Sequence, residues 1–402
     1  MKSCISSLEL ISFRNFKNFV INLPKENGHH LILTGKNGSG KTSLLRNIAL
    51  QLDVDTGIYE SKSNIKRRIE SYKRDPEGSD DPPGQILRDY RRLLRDSKGI
   101  SIEFEYSTYS SLDQKKSFFV FFESKRTIQF DKPSGIKNLD LTENKSMHER
   151  INAVFIQYLV NSMADRAFAK EAQDLLTVNK IDSWFQRLET ALSFILDVPD
   201  LKLKFDRKNY DFTIILADRE IDFNQLSDGF SAILGIISEL IMRMEGYNVQ
   251  SYDLKGIVII DEIETHLHVD LQRKILPFLI DFFPGLQFIV TTHSPFVLTS
   301  VQNATVVDLE KKIITTDLSS YSYNAIIESY FDSDKYSEIS KTKLDEFEYL
   351  TLKNNLDDAE LVKLTNLREY FSNVPKYFSS ELVAKLQEIK IKELTTHKKS
   401  NL

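Results

Sequence analysis

The stretch GKNGSGKT, Gly35 to Thr42, constrains this chain more than any other part of it. It fits G-x-x-x-x-G-K-[ST] and lies between a short apolar run, HHLILTG, and a segment of helical apolar spacing, KTSLLRNIALQL. Glycines let such a loop wrap closely, so its N–H groups and the following helix N-terminus converge on one point of positive potential. That geometry cradles phosphate. Gly35, Lys36, Asn37, Gly38, Ser39, Gly40, Lys41, Thr42 and Ser43 are therefore candidate nucleotide-binding residues. Lys41 supplies charge to the β- and γ-phosphates of ATP, and the Thr42 hydroxyl can ligate Mg²⁺.

A second stretch, VIIDEIETHLHVD, poses a choice. Alone, Asp261, Glu262, Glu264 and the pair His266 and His268 could bind zinc or two divalent ions. A phosphate loop, however, needs an acidic element at the end of a neighbouring strand, and GIVIIDE supplies it. Asp261 can hold Mg²⁺ through water, and Glu262 can orient or deprotonate the attacking water. The nucleotide then explains both carboxylates without a separate metal site.

Two weaker signals follow the same logic. QLSDGFSAIL places Ser227 and Gly229 at the start of an apolar helix, where hydroxyl and N–H groups make a further anion site. FIVTTHSPFVL ends an apolar strand at His293, whose imidazole can hydrogen-bond a γ-phosphate.

In this order the four elements resemble the ABC-type ATPases, in the branch containing SMC, RecF and OLD-like ATPases, and especially its AAA-like members. LELISFRNFKNF looks like the opening hairpin of that branch, LSDGF replaces the transporter form LSGGQ, and IDEIETHLHVDLQ and THSPFVL match its later motifs. The specific likeness covers roughly residues 1–50 and 220–310. It implies an α/β P-loop fold: a mixed sheet core with an N-terminal antiparallel β subdomain, a helical insertion and a helical C-terminal extension. It also implies a head-to-tail homodimer, in which Ser227 of one subunit caps the γ-phosphate bound at Lys41 of the other. His268 falls in the loop that crosses such an interface, although Val269 stands where relatives often have proline. By the same resemblance Gln157, near the end of NAVFIQYL, is a candidate Mg²⁺-sensing residue, with an ordinary polar position at a strand end as the alternative. Arg14 either reaches the nucleotide or lies on the surface.

The remaining chain bounds the reading. An ATPase head is expected over residues 1–317, with a charged insertion at about 55–150 and a helical lobe at about 160–220, followed by an extension over 318–402. RTIQFD and NAVFIQYL read as strands. IKRRIESYKR and LRDYRRLLRD read as basic helices, either solvated or in contact with a nucleic acid or partner. A net charge of −5 argues against polyanion binding over the whole surface, and Cys4 as sole cysteine excludes an intrachain disulfide. No apolar run reaches the ~18 residues of a membrane span, so the expectation is a cytoplasmic protein. Long coiled-coil arms are absent from the pattern. Asp357, Asp358 and Glu360 lie in a helical setting, unlike the acidic cluster of a nuclease domain.

Two functions fit. The chain resembles ATPase subunits of bacterial antiphage systems such as Septu and retron-linked modules, which implies a sensor or regulator working with a separately encoded nuclease or toxin. The alternative is a RecF- or SMC-like DNA-repair ATPase, using a basic groove of Lys66, Arg67, Arg68, Arg91 and Arg92.

Overall fold

The computed structural model describes residues 4–24, 29–55, 99–105, 117–126, 128–139, 141, 148–216, 219–246, 254–321, 323, 325–326, 338–353, 355–372, 385–389 and 391. The two expected basic helices, with Lys66, Arg67, Arg68, Arg91 and Arg92, lie outside these residues. The chain divides into two compact units, Met1–Tyr323 and Asn324–Leu402.

The first unit opens with strands β1 (Cys4–Phe13) and β2 (Phe16–Asn22), an antiparallel pair closed at Arg14 and Asn15. Next come β3 (His30–Thr34), buried at every position, and helix α1 (Lys41–Asp55). Strand β4 (Ile100–Glu105) pairs with β1 to complete the three-stranded sheet β2-β1-β4. After β5 (Ser117–Phe122) the helices α2 (Phe155–Glu171) and α3 (Leu175–Leu196) lead to an antiparallel meander. Its strands are β6 (Lys202–Asp206), β7 (Asp211–Leu216) and β8 (Arg219–Asp222). Helix α4 (Asp228–Gly246), β9 (Lys255–Ile260), α5 (Val269–Phe282), β10 (Leu286–Thr291), the short α6 (Pro295–Leu298), β11 (Ala304–Asp308) and β12 (Ile313–Thr316) follow.

The central sheet has the order β12-β11-β3-β10-β9-β5, parallel throughout except for β12 at its edge. Strands β3, β10 and β11 are buried at every position, as expected for strands covered on both faces. Each parallel strand therefore delivers its C-terminal end to one rim, where ligands of open α/β sheets bind.

Two buried polar groups join the layers. Gln287, within β10, accepts from Ile5 N at 2.7 Å and donates to the carbonyls of Ile5 and His29 at 3.1 and 3.0 Å. It thereby ties the antiparallel sheet to the central one. Glu239 on α4 pairs with Arg243 one turn on at 2.8 Å, and its other oxygen accepts from Ile151 N and Asn152 N. Such a fully partnered buried carboxylate fixes the start of α2 against α4.

Two sequence expectations are corrected. NAVFIQYL is no strand: a short 3-10 turn at Asn152–Val154 runs straight into α2. Its buried residues Phe155, Ile156, Leu159 and Val160 follow helical spacing, which a short apolar run does not distinguish from a buried strand. The described residues of RTIQFD, 126 and 128–131, form no strand either. Their backbone is held by a side chain, with Phe130 N donating to Asn224 Oδ1 at 2.8 Å and Asn224 Nδ2 returning to Phe130 O at 3.1 Å.

In the second unit α7 (Glu338–Leu352) and α8 (Asp358–Ser372) pack through Leu344, Leu350, Leu364, Leu367 and Phe371. The acidic start of α8 is a reciprocal cap: Asp357 Oδ1 accepts from Glu360 N, and Glu360 Oε2 accepts from Asp357 N. Among the described residues no helix is long and apolar enough to cross a membrane.

Candidate functional site

The loop from β3 to α1 has the conformation its glycines permit. Gly35, Gly38 and Gly40 take φ values of +131°, +86° and +108°. Gly40 needs glycine for its backbone, and a Cβ there would also crowd the Arg14 side chain, with Cδ at 3.0 Å. Arg14 reaches in from the β1–β2 turn, donating to Gly38 O at 2.8 Å and Ser43 Oγ at 2.7 Å. It thus braces the loop from outside. Lys36 and Asn37 are exposed at the loop's crest, and Lys36 forms an ion pair with Glu310 at 3.0 Å.

Lys41 is only 6% exposed, and its Nζ donates to the carbonyls of Gly35 and Lys36 at 2.7 and 3.1 Å. Burial pushes its pKa down, against the pull of Glu262, Asp261, Glu264 and Asp308. A buried ammonium held mainly by neutral carbonyls, with acids nearby, is set to accept an anion.

The end of β9 meets this loop. Thr42 Oγ1 donates to Asp261 Oδ1 at 3.2 Å, and Thr291 Oγ1 at the end of β10 donates to the same oxygen at 2.6 Å. Glu262 follows in the left-handed region at φ +47°, a conformation costing a non-glycine residue roughly 1–2 kcal/mol. Its N–H donates to Thr291 Oγ1 at 2.7 Å, and its carboxylate accepts from Thr265 Oγ1 at 3.3 Å. Arg126, just beyond β5, donates to the carbonyls of Asp261, Glu262 and Ile263.

His293 stands at the β10–α6 turn. Its N–H donates to Glu264 Oε1 at 2.5 Å, and Ser294 caps α6 by accepting from Phe296 N and Val297 N. Burial first, then the Lys41 charge, lowers the His293 pKa, against Glu264, Glu262 and Asp261. Its Nε2 is buried without a partner, as are Ser39 Oγ and Glu264 Oε2. Orphaned polar atoms gathered at one rim of a well-packed sheet are what a polar ligand would complete. The donor set suits a nucleotide with Mg²⁺: backbone and lysine donors for phosphate, a hydroxyl and a carboxylate for the ion.

The other expected residues fall elsewhere. Ser227 is exposed immediately before α4, and its carbonyl accepts from Ser231 N at 2.8 Å. Among the described residues it makes no hydrogen bond to the phosphate loop. Gly229 is buried; a Cβ there would meet His266 O at 2.7 Å, so glycine lets α4 touch the loop after Glu262. His268 forms a 3.4 Å contact with Asp270 at the start of α5, while His266 has φ +66°. Among the described residues no group of three His, Cys, Asp or Glu is arranged to hold a metal ion. Gln157 sits in the first turn of α2, not at a strand end, and its amide donates to Gly135 O and Asn161 Oδ1 at 2.7 and 3.0 Å. These bonds commit it to packing α2 against the 135–137 segment. Sequence reading missed Thr291 and Arg126, and weighed Glu264 only as a carboxylate of a separate metal site. Thr291 flanks a motif and was open to discovery from that position alone.

Residues 31–299 match the family described as AAA domain, putative AbiEii toxin, Type IV TA system. The chain is 26% identical to the Septu protein PtuA of Bacillus mycoides (strain KBAB4) over 298 residues, covering 73% of this chain and 38% of that relative. It is 32% identical to the Retron Vc95 probable ATPase of Vibrio cholerae serotype O1 biovar El Tor over 174 residues, 40% of this chain and 30% of that one. The match thus spans well under half the length of these two relatives. The SMC head domain from Thermotoga maritima shares 14% identity at a TM-score of 0.36, over 76% of this chain and 95% of that chain.

Proposed function

Because the chain belongs to the AAA-domain family described as putative AbiEii toxin, Type IV TA system, we propose that it binds ATP with Mg²⁺ and hydrolyses it to ADP and phosphate. The meeting of Thr42 and Asp261 beneath the phosphate loop carries this reading, because it joins the two halves of a nucleotide site on one carboxylate oxygen. Gly35 to Ser43 hold the phosphates through loop N–H groups, with Lys41 turning from its carbonyl partners toward the anion. Thr42 and Asp261 would hold the Mg²⁺, which when bound would neutralise charge on the phosphate oxygens. Glu262 orients and deprotonates the attacking water, and His293 Nε2 hydrogen-bonds the terminal phosphate.

The exposure of Ser227 supports a shared site. In a head-to-tail pair, Ser227 and the α4 N-terminus of one subunit close over the phosphates at Lys41 of the other. The relatives named for Septu and retrons support the further reading that this pair is the regulatory ATPase of an antiphage system, controlling a separate nuclease or toxin. Phosphate release by the purified chain, strictly dependent on Mg²⁺, tests the first step. Lys41→Ala is expected to abolish ATP binding in calorimetry; unchanged affinity would defeat the assignment. Isolation of the native complex tests the second step, since a chain recovered without any effector protein contradicts a regulatory role.

A further inference from the structure

Arg126 belongs to none of the motifs, yet it spends its side chain on one of them. Nη1 donates to Asp261 O at 2.8 Å, and Nη2 donates to Glu262 O at 2.8 Å and Ile263 O at 3.4 Å. Successive carbonyls in an extended strand point in opposite directions, so one guanidinium does not gather three of them. They converge here because the chain turns at Glu262, whose φ is +47°. The guanidinium and the left-handed residue therefore require each other. Nε is buried with no acceptor, so every bond the side chain makes at this loop is to a backbone carbonyl of Asp261, Glu262 or Ile263. Its one other bond, from Nη1 to Glu123 O at 3.3 Å, is local, three residues back and just past the end of β5.

We propose that Arg126 is a positioning residue for the water-activating carboxylate: by gripping the carbonyls of Asp261, Glu262 and Ile263, it sets the backbone turn that aims the Glu262 side chain. The proposal rests on the reading of Glu262 as the base. Other bonds at this turn do not replace the grip. Thr291 fixes the N–H of Glu262, and Thr265 N donates to Glu262 O at 3.0 Å within the turn itself. Asp261 N also donates to Phe122 O at 2.9 Å and so ties the turn to the end of β5, but among the described residues Arg126 alone gathers the carbonyls of Asp261, Glu262 and Ile263 from that side. Burial lowers its pKa to about 10, against the pull of Glu264, Asp261 and Glu262, so the grip stays charged across the neutral range.

Arg126 also lines a cleft of about 480 Å³, with Lys125, His148 and Arg150 among its walls. A small planar cation therefore has a path to the place the side chain occupies. This allows a test that a general packing role does not pass. In Arg126→Ala, kcat for ATP is expected to fall on the order of 10²-fold, as for a misaimed catalytic group, while KM changes by less than about twofold. Millimolar guanidinium is expected to restore part of kcat in Arg126→Ala, with no gain in the wild type or in Glu262→Gln. Arg126→Lys keeps charge and bulk but lacks the planar fork, so it is expected to show the same split in kcat and KM. Should the alanine variant fail to fold, the lysine variant decides alone. Unchanged kcat in a folded variant, or a fall in kcat matched by a loss of ATP affinity, overturns the proposal. Absence of guanidinium rescue in a folded Arg126→Ala does the same. If Glu262→Gln itself turns over normally, the underlying reading of the base has failed instead.

Discussion

Thr42 and Asp261 stand 219 residues apart in the chain, yet the threonine hydroxyl donates to the aspartate Oδ1 across 3.2 Å. One residue lies in the first turn of α1 and the other directly follows β9, so the bond joins the two halves of the sheet rim. Asp261→Asn keeps the shape and an acceptor oxygen but removes the charge. We expect it to retain ATP affinity while apparent Mg²⁺ affinity falls about 10–100-fold. Hydrolysis titrated against Mg²⁺ measures this, and an unshifted midpoint would contradict the ion-holding role.

Glu262→Gln keeps size and the contact with Thr265 but cannot take a proton. Turnover is expected to fall on the order of 10²–10⁴-fold with ATP still bound. The protein should then accumulate as an ATP-bound dimer in size-exclusion chromatography. A monomer turning over at the normal rate would remove Glu262 from the mechanism.

Ser227→Arg separates a shared site from a self-contained one. A bulky cation at the start of α4 blocks the approach of an opposing subunit and leaves the phosphate loop intact. Near-normal ATP binding, lost hydrolysis and lost ATP-induced dimerisation are expected. Mixing Ser227→Arg with Lys41→Ala subunits gives pairs in which one composite site carries both defects and the other neither, so partial activity should return. Full hydrolysis by Ser227→Arg as a monomer would refute the composite site.

His293 carries a pH signature. Its lowered pKa means the fold favours the neutral ring. The sign follows: the stability this contributes is full above the ordinary value of 6.5 and is lost as pH falls through the lower folded value. Hydrolysis is expected to be insensitive to this ring between about pH 7 and 8 and to decline on the acid side. In His293→Asn the acid limb in the stability–pH curve should flatten; an identical limb would show that another group titrates there.

The phosphate loop, the acidic strand end and the LSDGF and THSPF turns were legible because each is local: glycines, an apolar run and a cap within a dozen residues. Arg126 was not legible. An arginine directly after an exposed lysine looks like any surface charge, and the role proposed for it exists only where β5 lies beside β9. NAVFIQYL misled for the opposite reason, since its composition suits a buried strand and only its continuation into α2 reveals the helical period. Strands β8, β11 and β12 are four or five residues long, too short for alternation to register.

The contact between Gly229 and His266 has a consequence for movement. A Cβ at Gly229 would stand only 2.7 Å from the His266 carbonyl oxygen, so it is glycine that lets the two backbones come this close. Helix α4 therefore has no slack against the loop after Glu262. If the proposed head-to-tail pair forms, a shift of that loop would bear directly on the segment that carries Ser227, and the loop and the shared face would move as one piece.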